Sequence, residues 1–211
     1  MMGLLFDLLR EVTGSAGTSV VLLSVLVAIA TYPLRVWAQG VEARARSKKQ
    51  EVDKHVAIDA QGLKGEEKFR AVEKIYEKYG YHPIQGVVLG VTFFVMLPFL
   101  LAALFLFADN PSIADTPYLI IPDLSQPDHL IGGVNVLPFV MSAITVIDAK
   151  FRFASDNAAF LRFCLIALIL LVLVYPFPAA LVLYWTMSNL ISFATYILSN
   201  RFSANQFKAT S

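Results

Sequence analysis

Charge is scarce in this chain. Only 16% of its 211 residues are Asp, Glu, Lys or Arg, where a soluble domain carries roughly a quarter, and 57% are apolar. A chain of that balance is expected to use lipid as its solvent. Cysteine is nearly absent: Cys164 stands alone inside an apolar run, which excludes an intrachain disulfide and a cysteine metal cluster. His55, His82 and His129 are scattered without the short spacing of a helical metal site. There is no Gly-rich phosphate loop and no nucleophile elbow, and Ser188 has no histidine or paired base nearby in sequence. No basic tail suited to nucleic acid is present, and the net charge is +1. These gaps set the expectation of a non-enzyme with no catalytic residue, metal, cofactor or nucleic-acid specificity.

What is abundant is apolar sequence in long runs. The pattern predicts an all-α integral membrane protein of five transmembrane helices: span 1 at 17–38, span 2 at 84–107, span 3 at 133–149, span 4 at 159–175 and span 5 at 176–198. The apolar parts of spans 3 and 4 run to fifteen or so residues, which reach about 23 Å against a hydrocarbon core of about 30 Å. Either their ends are hydrated or the bilayer thins around them. Residues 1–16 read as an interfacial amphipathic helix, in preference to a disordered leader, with Leu5, Leu8, Leu9 and Val12 on one face and Asp7, Arg10, Glu11 and Gly14 on the other. This start has none of the features of a cleaved signal and is expected to be retained.

Orientation follows from lysine and arginine. The segment 39–83 carries Arg44, Arg46, Lys48, Lys49, Lys54, Lys64, Lys68, Arg70, Lys74 and Lys78, whereas 108–132 has no lysine or arginine and carries Asp109, Asp115, Asp123 and Asp128. The first is expected to be cytoplasmic and the second an external loop. Lys150, Arg152 and Arg162 put the loop 150–158 inside, and Arg201 with Lys208 puts the tail 199–211 inside, giving an N-out, C-in chain. Within 39–83, Glu42 to Ala60 and Glu66 to Tyr79 read as two helices of a hairpin, with Gly80 as a stop. Phe69, Val72, Ile75, Tyr76 and Tyr79 repeat at helical spacing on the second arm, while the first offers Val52, Val56 and Ile58. So thin a seam suggests a mobile hairpin, either a solvated spacer or a docking element.

Polar residues recur at helical spacing inside the apolar spans. Ser24, Ala28, Thr31 and Arg35 share a face of span 1; Asn135, Ser142 and Thr145 share one of span 3; Tyr184, Ser188, Ser192, Thr195 and Ser199, widened by Thr186 and Asn189, share one of span 5. Small polar residues let membrane helices approach and hydrogen-bond, and that is one reading. The other is that the stripes converge on a hydrated groove open to the cytoplasm. Arg35 is costly deep in a bilayer but lies near a span end, where it can snorkel. Pro33, Pro98, Pro138, Pro176 and Pro178 lie in or beside spans, where each removes a backbone hydrogen bond and can bend its helix.

Several segments, in order along the chain, resemble the YidC/Oxa/Albino membrane protein insertases. They are Tyr32-Pro33-Leu34 with Ala38-Gln39; Lys74-Ile75-Tyr76-Glu77-Lys78-Tyr79-Gly80-Tyr81-His82-Pro83; Leu97-Pro98-Phe99-Leu100-Leu101-Ala102-Ala103-Leu104; Asp123-Leu124-Ser125-Gln126-Pro127-Asp128; Leu137-Pro138-Phe139-Val140-Met141; and Phe177-Pro178-Ala179-Ala180-Leu181-Val182-Leu183-Tyr184-Trp185 with Ser188-Asn189-Leu190.

The resemblance implies a short form of that family: a five-helix core without a large external domain. It implies a hydrophilic groove that receives the polar flanks of nascent membrane proteins while their apolar segments pass along spans 3 and 5 into the lipid bilayer. It also implies a cell (inner) membrane location and no cofactor. Family members usually carry a groove arginine five residues before the span 1 proline; here that position is Ala28. Arg35 either replaces it, two turns along, or anchors the span end. Ribosome-binding members often use long basic tails, and Lys208 is the only base after Arg201, so a ribosome partner is weakly supported; a translocon partner is left open. A YidC-fold structural subunit of a larger complex is the alternative. A solute transporter would predict an inverted repeat, and none is visible.

Overall fold

A computed structural model of the chain describes residues 2–82, 91–108, 110–154 and 156–209. Among them the regular structure is helical: α1 Met2–Thr13, α2 Ala16–Ala30, α3 Tyr32–Asp59, α4 Gly65–Lys78, α5 Val91–Phe107, α6 Leu137–Arg152, α7 Asn157–Val174 and α8 Ala179–Ala209, with a 3-10 turn at Pro111–Ile113. Two isolated antiparallel bridges, Tyr118 with Ile121 and Ile131 with Val134, are the nearest approach to β-structure among the described residues. The start of the expected second span, 84–90, lies outside the described residues, as do the side chains of Ser199, Arg201 and Lys208.

By length and hydropathy α7 and the stretch Ala179–Leu198 of α8 can each cross a bilayer, and α2 with α3 qualifies when the pair is counted as one broken span. Phe94–Phe107 is apolar but shorter. α6 has 16 residues, about 24 Å of rise, which is short of the hydrocarbon thickness. The chain divides into two compact units, Met1–Ala30 with Phe99–Ser211, and Thr31–Pro98.

In the first unit α2 packs on α1 and α8, and α6 packs on α7 and α8. Its core gathers Phe6, Leu23, Phe107, Ile113, Leu124 and Leu181, all buried. α1 differs from the face expected of it. Phe6 is the residue it buries, edge-on to Phe107 at 5.5 Å between ring centroids, with Met2, Leu5 and Leu9 beside it, whereas Leu4, Leu8 and Val12 are exposed. The helix is apolar on two sides, so a 3.6-residue period alone does not say which stripe faces the core; the bulkiest ring does. The i, i+4, i+8 stripe of Leu4, Leu8 and Val12 is the one left for a membrane interface.

The segment 108–132 is likewise more than a solvated loop. Ile113, Ile121 and Leu124 are buried in the core. The carbonyls of Leu124 and Gln126 accept the amides of Ala180 and Ala179, at 2.9 and 2.8 Å, capping the first turn of α8. Buried Asp128 caps α6: its Oδ1 accepts the amides of Val136 at 2.7 Å and Leu130 at 3.3 Å, and its Oδ2 that of Leu137 at 2.9 Å. A carboxylate at a helix N-terminus also meets the positive end of the helix dipole.

In the second unit α3 starts at Tyr32 because Pro33 sits in its first turn, where a missing N–H is tolerated but continuity with the preceding turn is not. The expected single helix over 17–38 is therefore broken at Thr31. α3 then runs unbroken into the basic segment. Val52, Ile75 and Tyr81 form a small buried seam with Val56, Tyr76 and Tyr79, while Phe69 and Ile58, expected in that seam, are exposed. Gly62 at φ 81° and Gly80 at φ 54° take the left-handed backbone that ends helices. Lys48 Nζ donates to the Gly80 carbonyl at 2.7 Å, and His55 Nε2 and the Tyr79 hydroxyl lie 2.9 Å apart.

Glu42, buried on α3, accepts the Thr92 amide in the first turn of α5 at 2.8 Å and pairs with Arg46 at 3.3 Å. Glu42→Ala is expected to destabilise the protein by about 1–2 kcal/mol, the cost of a lost cap. Glu42→Gln retains the acceptor oxygen and most of that stability. Thermal unfolding of the detergent-solubilised full chain reads both.

Candidate polar seam between α6 and α8

The helices α6 and α8 place polar side chains against each other along an otherwise apolar contact. Thr145 Oγ1 donates to the Met141 carbonyl at 2.9 Å, one turn back on α6, and accepts Asn189 Nδ2 of α8 at 3.1 Å. One turn before Thr145, the Ser142 hydroxyl is shielded from solvent and has no hydrogen-bond partner among the described residues. Toward the end of α6, Arg152 Nη2 lies 3.4 Å from Ser192 Oγ and 3.5 Å from the Ser192 carbonyl. Arg152 Nε donates to both oxygens of Asp148, at 2.7 and 2.8 Å. Ser188 is half-buried on α8 beside Asn189.

Other hydroxyls are held by their own helices. Ser24 donates to the Val21 carbonyl at 2.6 Å, Thr186 to Val182 at 2.7 Å and Thr195 to Ile191 and Ser192 at 2.9 Å each. Such back-bonds satisfy the donor while leaving lone pairs on the oxygen, so these residues can accept hydrogen bonds but have their own proton committed. Ser24 and Ala28 are both buried on α2.

Not all of the expected site residues lie in this seam. Asn135 lies ahead of α6 and holds the loop together: its Nδ2 donates to the Tyr175 carbonyl at 2.8 Å, and its Oδ1 accepts the His129 amide at 3.1 Å. Tyr184 is buried in the apolar core, its ring 6.2 Å from that of Phe107. Thr31 and Arg35 belong to the other unit, where Arg35 is half-buried with its Nε 3.1 Å from the Met96 sulfur. The 4-3-4 spacing that joined Ser24, Ala28, Thr31 and Arg35 assumed one continuous helix, and the break at Thr31 removes that premise.

The Asp148–Arg152 pair with Ser192 and Tyr196 is the part of the seam that sequence reasoning missed, having used Arg152 only as an orientation charge. The signal was present as an acid and a base four residues apart on α6 facing a Ser and a Tyr four apart on α8. Among the described residues no group of three or more His, Cys, Asp or Glu side chains is placed to hold a metal ion.

A family model described as 60Kd inner membrane protein matches residues 8–206. The chain belongs to that family. It is a multi-pass inner-membrane protein. Curated relatives include proteins named membrane protein insertase YidC. One from Polynucleobacter asymbioticus is 27% identical over 93% of this chain and 34% of its own length, and one from Janthinobacterium sp. (strain Marseille) is 27% identical over 88% and 34%. A third, from Leptospira interrogans, is 22% identical over 91% and 32%. The chain thus spans about a third of the length of the curated relatives it matches. A crystal structure of an active YidC insertase with its first transmembrane domain resolved has the same fold, with a TM-score of 0.61 and 18% identity over 92% of this chain and 44% of the other.

Proposed function

We propose that this chain is a membrane protein insertase and chaperone, which receives the polar flanks of nascent transmembrane segments in an intramembrane polar site and releases the segment into lipid. The observation that carries the reading is the family match over 8–206, together with relatives named as insertases. In support, the described residues offer hydrogen-bonding groups inside a membrane fold, between α6 and α8. The work is transfer of a chain between solvents rather than bond chemistry. A polar group crossing hydrocarbon unpaired costs several kcal/mol. A site that supplies acceptors such as Thr145 and Ser192, with a short helix such as α6 beside it, lowers that barrier without a cofactor.

The topology that goes with this function is N-out and C-in with five spans, at 17–38, 84–107, 133–149, 159–175 and 176–198. The helix 1–16 lies at the interface, 39–83 and 150–158 face the cytoplasm, 108–132 faces outward and 199–211 is a cytoplasmic tail. The asymmetry of lysine and arginine between segments supports it. Within the first unit the contact residues are Ser24, Ala28, Ser142, Thr145, Ser188, Asn189 and Ser192, with Asn135 and Tyr184 as supporting residues in the loop and the core; Thr31 and Arg35 are contacts of the second unit. The partners are nascent membrane proteins and lipid; a ribosome or translocon contact is a further arm to test.

Reconstituted into liposomes, the full chain should insert a small, short-tailed membrane substrate. The double change Thr145→Val with Asn189→Leu should lower the initial rate about five- to thirtyfold, equivalent to the net worth of one or two hydrogen bonds at about 1 kcal/mol each, while leaving thermal stability near that of the parent. Unchanged insertion by the double variant would remove the seam from the mechanism, and absence of insertion by the parent would remove the function. Arg35→Ala, alone and with Ala28→Arg, tests the cation: loss in the first and recovery in the second is expected if a fixed charge on span 1 serves the site.

A further inference from the structure

The last turn of α6 holds a guanidinium whose hydrogen-bonding capacity the described residues leave unfilled. Both carboxylate oxygens of Asp148 are engaged by one nitrogen of Arg152, Nε, so the pair is not the parallel fork in which two nitrogens meet two oxygens. On the other edge Nη2 reaches, among the described residues, only Ser192, at 3.4 and 3.5 Å, the far limit of a hydrogen bond. Nη1 donates to no described residue.

The cation is nonetheless held firmly. Asp148 fixes its direction, and the Tyr196 ring lies beneath it at 4.4 Å from the guanidinium carbon to the ring centroid. The two charged side chains are 17% and 22% exposed, so neither is simply dissolved in water. The surroundings are aromatic and face outward. Phe151 is exposed, its ring 5.4 Å from that of Phe193, and the Tyr196 hydroxyl donates to the Phe151 carbonyl at 3.4 Å. Aromatic rings beside a basic residue at a helix end are the composition that membrane–water interfaces select.

We propose that Arg152, oriented by Asp148 and Tyr196, binds the phosphodiester of a phospholipid headgroup through its Nη edge. The inference rests on the membrane placement proposed above, in which this end of α6 and α8 meets the cytoplasmic leaflet. A phosphodiester presents two non-bridging oxygens that share one negative charge, at the spacing of the guanidinium fork, and two acyl chains can lie along the apolar faces of the same helices. The carboxylate of a passing chain shares the fork chemistry, but the exposed Phe151 beside the cation turns the site toward lipid.

The test is a native mass-spectrometric titration of the detergent-solubilised full chain with phosphatidylglycerol, and with a diacylglycerol of the same acyl chains that lacks the phosphate. The first phosphatidylglycerol should be retained and the diacylglycerol should not. Arg152→Gln should weaken the first binding step about tenfold, the loss of a charge-assisted hydrogen bond. Lys150→Gln, on the neighbouring exposed base, should leave it unchanged. Tyr196→Leu, which removes the platform and keeps the charge, serves as the second variant should Arg152→Gln fail to fold, and should weaken binding about threefold. Equal retention by the parent and by whichever of these variants folds overturns the proposal, as does equal loss in Lys150→Gln. Displacement of the lipid by an equimolar glutamate-bearing transmembrane peptide assigns the edge to passing chains and also overturns it. Binding is read without insertion, so a failure of the insertase reading and a failure of this one are distinguishable.

Discussion

Asp128→Ala is expected to destabilise the protein by about 3–5 kcal/mol, since each buried N–H left without an acceptor costs about 1–3 kcal/mol. Two of its bonds are short, to Val136 at 2.7 Å and Leu137 at 2.9 Å, and a third reaches Leu130 at 3.3 Å. Alanine supplies no oxygen, and Asp128 is only 2% exposed, so water cannot readily replace it. Loss of the negative charge at the N-terminus of α6 adds about 0.3–1 kcal/mol. Asp128→Asn separates the contributions. Its carbonyl can serve Leu130 and Val136 as Oδ1 does, while its amide faces the Leu137 N–H and cannot accept from it, so roughly half the loss is expected. Thermal unfolding of both variants in detergent measures this order. Equal stability of parent and alanine variant would mean that the loop 108–132 does not hold α6 in place.

The consequence reaches the seam. Asp128 fixes the start of α6, and the carbonyls of Leu124 and Gln126 fix the start of α8, so one loop sets both helices that carry Thr145 and Asn189. Insertion activity is therefore expected to fall in Asp128→Ala even though no substrate touches that residue.

What could be read from the sequence and what could not divides along physical lines. The helical membrane class follows from runs of apolar residues too long for a soluble strand, and α4 is legible because Ile75, Tyr76 and Tyr79 repeat at helical spacing before Gly80. Burial within irregular structure has no period. Hence Ile113, Ile121 and Leu124 gave no sign of entering the core, and Asp128 was legible only as a charge on one side of the membrane. Phe6 was hidden for another reason, because a helix apolar on two sides satisfies the helical period in two ways. The spacing arithmetic that put Ser24 and Arg35 on one face holds only along an unbroken helix, and Pro33 was already there to break it. Asn189 meeting Thr145, and Arg152 meeting Tyr196, depend on the register between two helices distant in sequence, which neither helix's own pattern specifies.

Gly17 yields the prediction whose sign is most diagnostic. In an open helix, Gly→Ala is expected to stabilise by up to about 1 kcal/mol through backbone entropy. Gly17 is buried in the first turn of α2, and a Cβ built there falls on Cγ, Cδ2 and Cβ of Tyr118. These are the root of the side chain rather than its flexible end. Nor can the Tyr118 backbone retreat, because it exchanges two hydrogen bonds with Ile121, each 2.9 Å, while the Leu124 amide donates to the Thr116 carbonyl at 3.0 Å. Overpacking of this kind costs about 1–3 kcal/mol, so Gly17→Ala is expected to destabilise by about 2 kcal/mol and Gly17→Val by about 3 kcal/mol or more. In a Tyr118→Ala background the obstruction is gone, and Gly17→Ala should change sign and stabilise by up to about 1 kcal/mol. That reversal corresponds to a coupling of about 2–3 kcal/mol in the double-mutant cycle, within the range for residues in contact. Additive effects of the two changes would show that α2 and the loop do not approach at this point. Ser24 and Ala28 lie further along the same helix, so whatever displaces Gly17 from Tyr118 also shifts the polar positions that α2 brings toward α8.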